Sequence, residues 1–281
     1  MAGDFTITLE SYDGTDKDVV VAAGVDKIGH RAFTNNRYVH SITLPEGVEV
    51  IEDEAFSACV NLRSINIPST VRAIGAGAFK GCWRLEEVHV PEGVETLGLK
   101  TFARCRSLKT LTLPTTLRSI GEACFQHCGD LETLVLPDAL ESIGTSAFYN
   151  CKTLKDVAWP SALEVVENEA FRGCAALEEV EMPESVGWMG QRCFKDCASL
   201  ASAALPPNIE FIEEGMFEGC SALDAVVVPN DLSHVESRAF ADSGLSQDDI
   251  AFPEDCHIAP DAFAQSEPKE VTGRAEWDPE S

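Results

Sequence analysis

Apolar positions recur along the chain with a period of 23 residues. One unit, Cys59 to Phe79, reads CVNLRSINIPSTVRAIGAGAF, with Leu62, Ile65, Ile67, Val71, Ile74 and Phe79 apolar and polar residues between them. Alternation at Ile65 and Ile67, closed by Pro68, predicts a short strand with one face inward. The same step returns at Leu111 and Leu113 and at Leu134 and Leu136. The Val71-x-x-Ile74 spacing predicts a second extended arm. Ala78, Phe79 and Cys82 stand at i, i+1 and i+4, which predicts a single helical turn.

The register holds over most of the chain. Eleven of the fourteen Phe residues fall in one column, from Phe33 to Phe263. Eight of the eleven cysteines lie three residues after a column Phe, from Cys59 to Cys220, and a proline lies twelve after it, from Pro45 to Pro229. A 23-residue coil cannot bury its own apolar side. Stacked at the strand spacing of ~4.8 Å, however, each column becomes a buried ladder. The predicted fold is therefore an α/β solenoid of about ten coils, roughly 50 Å long, with short strands on one side and single helical turns on the other arm.

The phrase LRSINIPSTVRAIGAGAFKGC, Leu62 to Cys82, resembles the BspA-like leucine-rich repeat of the Treponema type. The resemblance runs from about Val19 to Phe263 and joins three features in each unit: the proline closing the strand, the Ala-Phe pair and the period. It implies a right-handed leucine-rich-repeat superhelix whose strands form a curved parallel sheet on a concave face. It also implies a role in binding proteins or surfaces, often as an adhesin on host cells or matrix, and no catalysis.

The ends depart from the repeat. Residues 1–21 are expected to form capping strands, with Thr6 to Leu9 and Val19 to Val21 as strand and return strand around a turn at Tyr12 to Gly14. The solenoid is expected over 22–263. Asn36 and Ser243 stand where inner coils carry Cys, as suits terminal repeats that meet water. In the last unit Pro253 lies ten residues before Phe263 instead of eleven, so the ladder is expected to fail there. Residues 264–281 read as an acidic flexible tail, with Trp277 solvated in it.

Charge narrows the function. With 47 acidic and 21 basic residues the formal charge is −26, which repels nucleic acid and anionic lipid. No stretch has the ~18 apolar residues of a membrane span, so no membrane insertion is expected. Residues 1–10 lack the basic and long apolar regions of a secretory signal. A cytoplasmic location is expected, with the cell surface as the alternative.

The cysteine column is expected to be buried and reduced, although neighbouring thiols ~5 Å apart are close enough to oxidise. A thiol-based redox or metal-binding protein is thus a further alternative. The C-x3-C pairs Cys124/Cys128 and Cys193/Cys197 lie 69 residues apart. That places them ~15 Å apart along the axis, too far to share one zinc ion. Cys124 and Cys193 read as small core residues in the alanine column. Gly75, Gly98, Gly121, Gly144 and Gly190 form a column without the GxGxxG spacing of a phosphate loop, and the sequence gives no reason for its glycine preference. The six His residues share no column, and the acids Glu178, Glu179 and Glu181 read as solvated face. With no nucleophile, base and orienting residue to nominate, the chain is expected not to be an enzyme and to need no cofactor.

Binding remains. The outward strand column runs Thr43, Asn66, His89, Thr112, Val135, Ala158, Glu181, Ala204, Val227 and turns apolar in its second half. A protein partner, favoured to be basic by the acidic surroundings, is expected over Val135, Ala158, Glu181, Ala204 and Val227. A second expected contact is the stripe Val165, Trp188 and Phe211 on the next arm.

Overall fold

A computed structural model describes residues 6–265. The end of the expected tail, with Trp277, lies outside the described residues. Each coil but the last carries a three-residue strand, a two-residue strand and a turn arm. Strands are short because, from Ser41–Thr43 to Ala225–Val227, a proline stands two residues past the end of each three-residue strand, removing a donor. In the coil of Pro68, that residue's carbonyl accepts the N–H of Val71 at 3.1 Å and turns the chain.

All described strand pairing is parallel and, apart from Thr8–Leu9 with Lys27–Ile28, offset by one period. Ser41–Thr43 pairs with Ser64–Asn66 so that Ile42 faces Ile65, and Val50–Ile51 pairs with Ala73–Ile74 so that Ile51 faces Ile74. Like residues therefore meet like residues. The Phe column becomes a row of rings with centroids 5.0–5.9 Å apart from Phe33 to Phe263. Tyr12 caps that row, stacked on Phe33 at 4.9 Å. The rings from Phe33 to Phe240 are at most 1% exposed.

The third side corrects the expectation of helical turns and of an α/β fold. The molecule is a parallel β-solenoid whose one described helical segment is the 3-10 turn Gln247–Asp249. The N–H groups of Glu54, Phe56 and Ala58 donate to Ala76, Ala78 and Lys80 of the next coil at 2.7–2.9 Å. Those of Ala55, Ser57 and Cys59 donate three residues back at 2.9–3.3 Å. Stacking thus takes every second donor, which a helix would need for itself. The residues two before and two after each Phe, such as Glu54 (φ 54°) and Ala58 (φ 57°), are left-handed in every coil from Phe33 to Phe240. A left-handed residue every fourth position makes a chain of tight turns and breaks any helix.

The cysteine column has a bonding role. Each thiol from Cys59 to Cys220 in that column donates to the carbonyl of the Phe in the preceding coil, Cys82 to Phe56 at 3.2 Å and Cys151 to Phe125 at 3.2 Å. A side chain that is small, apolar and a weak donor fits that position. The glycine column has a steric cause at Gly75, Gly121, Gly144 and Gly190, but not at Gly98, where a Cβ would meet nothing within 4 Å. A Cβ on Gly144 would lie 2.8 Å from the backbone carbon of Gly121, and one on Gly75 would lie 2.4 Å from the N of Asp53. Where Glu52 and Glu167 take this position, their carboxylates accept backbone N–H groups of the preceding coil at His30 and Thr145, both at 2.8 Å.

At the start, Thr8–Leu9 and Asp18–Val20 are not a hairpin. They lie in different sheets, paired parallel with Lys27–Ile28 and Ser41–Thr43. Buried Asn36 joins this region to the first full coil, donating to the carbonyl of Gly14 at 2.9 Å and accepting from Tyr38 and Val39. At the other end the row of three-residue strands stops at Ala225–Val227, and the 3-10 turn stands where the next would be.

Candidate functional site

Among the described residues the strand face is interrupted between Ser64–Asn66 and Glu87–His89, between Thr110–Thr112 and Thr133–Val135, and between Asp156–Ala158 and Glu179–Glu181, and beside the last of these one residue breaks the pattern of its column. The position before each strand-closing proline is aliphatic in Leu44, Ile67, Val90, Leu113 and Leu136, but is Trp159 in the next coil. The indole is half-buried, its edge set against Phe171 with centroids 5.1 Å apart. Asp156–Ala158 and Glu179–Glu181 belong to different sheets. The backbone bond across this boundary, Glu178 N–H to Lys155 O, is 3.4 Å, against 2.9 Å for the equivalent bond one coil earlier, from Lys155 to Glu132.

The parting leaves an open cleft of about 530 Å³ beside Trp159. Its walls carry the carboxylates of Asp156, Glu179, Glu181 and Glu184, with Met182 at the base. All four acids are exposed. Among the described residues none of the four has a cationic partner within salt-bridge distance. An aromatic edge framed by uncompensated carboxylates attracts a cationic side chain through charge and offers its stem an apolar contact.

The residues selected from sequence divide between two sides. Val135 (71% exposed), Ala158, Glu181, half-buried Ala204 and Val227 (64%) lie on the strand face. Val135 is in register with Ala158, and Glu181 with Ala204 and Val227, but the cleft separates Ala158 from Glu181. Val165, Trp188 and Phe211 lie on the side of the two-residue strands, where Val165 and Trp188 share a sheet and Phe211 belongs to the next one. There Trp188 (42%) and Phe211 (41%) are exposed and Val165 is half-buried. Phe211 stacks on His234 at 5.1 Å, which extends this aromatic row one coil further. The two groups do not form one site. Trp159, Asp156 and Glu179 escaped selection, although a tryptophan in an aliphatic column was the available signal.

The cysteine column is closed to solvent. Ten cysteines are buried and free, and Cys256 is partly exposed. Burial pushes Cys59, Cys124, Cys151 and Cys220 up to about 12, far from the thiolate needed for nucleophilic or metal chemistry. Among the described residues no group of three or more His, Cys, Asp or Glu converges to hold a metal ion. No described helix is long and apolar enough to cross a membrane.

Three solved structures share the architecture. A leucine-rich repeat protein from Bacteroides ovatus is 25% identical, with 92% of this chain and 79% of that one covered and a TM-score of 0.69. A leucine rich cell surface protein from Faecalibacterium prausnitzii is 24% identical over 95% of this chain and 92% of that one, with a TM-score of 0.51. A leucine-rich repeat protein from Eubacterium ventriosum is 17% identical over 97% and 92%, also with a TM-score of 0.51. No curated protein matches the chain. The family profile described as BspA type leucine rich repeat region matches residues 26–155 and 141–269 in six copies. Most of the chain is thus matched by one profile, on a solenoid whose rows of Phe, Cys and Pro carry the repeat, and the chain belongs to the BspA-type leucine-rich repeat family.

Proposed function

We propose that this protein is a non-catalytic interaction scaffold that seats a basic segment of a partner protein in the acidic cleft beside Trp159. The observation that carries the reading is the set of four unpaired carboxylates, Asp156, Glu179, Glu181 and Glu184, around a half-buried indole. They lie where the strand sheet parts, within the stretch of the strand face chosen from sequence. Binding there uses side chains held by a continuous buried core, so little ordering accompanies association.

Titration calorimetry with a lysine- and arginine-rich peptide carrying one aromatic residue tests the reading. Binding should weaken as salt is raised. The double variant Glu179→Gln with Glu181→Gln should lose about tenfold in affinity, or about 1.4 kcal/mol. Equal binding by parent and variant, or affinity indifferent to salt, refutes it. Location belongs to the same proposal. The expectation of a cytoplasmic protein draws no support from the neighbours, one of which is described as a cell surface protein. Labelling intact cells with a membrane-impermeant reagent decides between the two places.

A further inference from the structure

The turn side of the solenoid carries a patch of opposite sign. Of the 21 basic residues, seven fall between Lys80 and Arg118, a stretch holding only four acids in a chain of net charge −26. Three of the chain's basic residues, Arg104, Arg106 and Lys152, line a second open cavity of about 740 Å³ with His127, Tyr149 and Asn150. The left-handed positions of Arg104, His127 and Asn150, at φ 58–63°, stand in consecutive coils and turn these residues to the same edge.

The cations are held without being neutralised. Arg106 lies over the ring of Trp83 at 5.4 Å, a contact that fixes the guanidinium while leaving its donors free. Arg172 lies over Tyr149 at 5.5 Å, and Tyr149 meets His127 edge to face at 5.5 Å. Among the described residues Arg104, Arg106 and Lys152 have no carboxylate within salt-bridge distance. Two acids also line the cavity. Glu169 is taken by Arg172 at 3.1 Å, which leaves Asp130 as the one unpaired carboxylate against three unpaired cations. Burial, and after it the positive charge of Arg104, Arg106 and Lys152, lowers the pKa of His127, so the imidazole stays neutral at pH 7.

We infer that this cavity is a binding site for a small sugar-sized ligand bearing a sulfate or phosphate ester. Fixed guanidinium and ammonium groups suit a tetrahedral oxyanion. The amides of Gln126 and Asn150, the phenol of Tyr149 and the neutral imidazole supply the donors and acceptors that hydroxyl groups need. The volume falls within the range of small-molecule sites. A long polyanion does not fit the charge pattern, because beyond this patch it meets a strongly acidic surface.

Calorimetry on the full chain with glucose, glucose 6-phosphate and glucose 6-sulfate, and with inorganic phosphate and sulfate, tests the site and separates the two esters. At least one ester should bind ten or more times tighter than glucose and tighter than its inorganic anion. The triple variant Arg104→Gln, Arg106→Gln, Lys152→Gln should lose that preference at least tenfold. Its melting temperature should match the parent, because the three side chains are exposed. Equal binding of esters and glucose, equal binding by the variant, or binding only to a long single-stranded DNA or a sulfated polysaccharide overturns the inference. Peptide binding at the Trp159 cleft serves as the control, since the variant leaves that cleft unchanged.

Discussion

Raising the pH above 9 should unfold this protein through its cysteines. Ten thiols are buried. Burial raises the pKa of every one of them above the value of 9.0 that a thiol takes when exposed, in Cys59 and Cys151 to about 12. The folded value lies above the unfolded one, so the protonated thiols contribute their full stability below pH 9, and that stability is lost as pH climbs from 9 towards 12. At pH 10 an exposed thiol has gained RT ln 11, about 1.4 kcal/mol, by ionising. Ten of them total about 14 kcal/mol, comparable with the whole stability of an ordinary domain, ~5–15 kcal/mol. The slope near pH 10 is about −12 kcal/mol per pH unit.

Urea midpoints followed by far-ultraviolet circular dichroism between pH 7 and 10, with reductant present, measure this directly. Stability should be level below about pH 8.5 and collapse near pH 10. The triple variant Cys128→Ala, Cys151→Ala, Cys174→Ala retains seven buried thiols, and its slope should fall to about seven tenths of the parent's. An unchanged slope in the variant refutes the reasoning, as does a parent that keeps its midpoint from pH 8 to 10.5.

Further expectations rest on the ring row and the charged face. Phe125 stacks between Phe102 at 5.4 Å and Phe148 at 5.3 Å. Phe125→Ala should cost about 5 kcal/mol and Phe263→Ala, half-buried at the row's end, about 2 kcal/mol. Equal losses in urea unfolding would contradict the row. Glu218 accepts from Lys195 at 2.7 Å and Arg238 at 2.8 Å, and although burial opposes its ionisation, these two bonds lower its pKa. Glu218→Ala should therefore cost about 2 kcal/mol at pH 7. The difference from the parent should shrink as pH falls below the ordinary carboxylate value, and a cost unchanged at pH 3 would refute the assignment. Trp159→Leu should weaken the basic peptide about tenfold without lowering the urea midpoint, and a loss above ~2 kcal/mol in stability would make the ring a core residue instead.

The period, the inward columns and the stacked rings were legible because every coil repeats them, so chance agreement at one position is averaged away. The turn arm was not. Ala78, Phe79 and Cys82 have helical spacing, and only five of the left-handed positions flanking the Phe row carry the glycine that normally marks such backbone; Glu54, Arg104, His127 and Asp196 hold the same conformation. Bonds to the next coil hold these residues left-handed, and no local pattern records such bonds. The Gly75 column was visible but unexplained, because its cause is the closeness of two backbones from different coils. Trp159 shows the reverse case. Its break with the column is plain in the sequence, but that the strands part beside it depends on pairing between coils, which is lost also beside the aliphatic Ile67 and Leu113.

Parted strands do not all have the same effect. Ser64–Asn66 and Glu87–His89 are also in different sheets, yet the rings beneath them, Phe79 and Phe102, remain 5.1 Å apart. Around Phe194 both layers loosen. The spacings to Phe171 and Phe217 widen to 5.8 and 5.9 Å, beside Cys193 and Met216, and the second sheet separates between Trp188–Met189 and Phe211–Ile212. Under load or partial denaturation a joint with lengthened ring contacts and an unpaired second sheet is expected to open before tightly stacked neighbours do. The Trp159 cleft lies one boundary earlier, between the coils of Phe171 and Phe194, so an occupant there would tie together the two coils whose rings stand 5.8 Å apart.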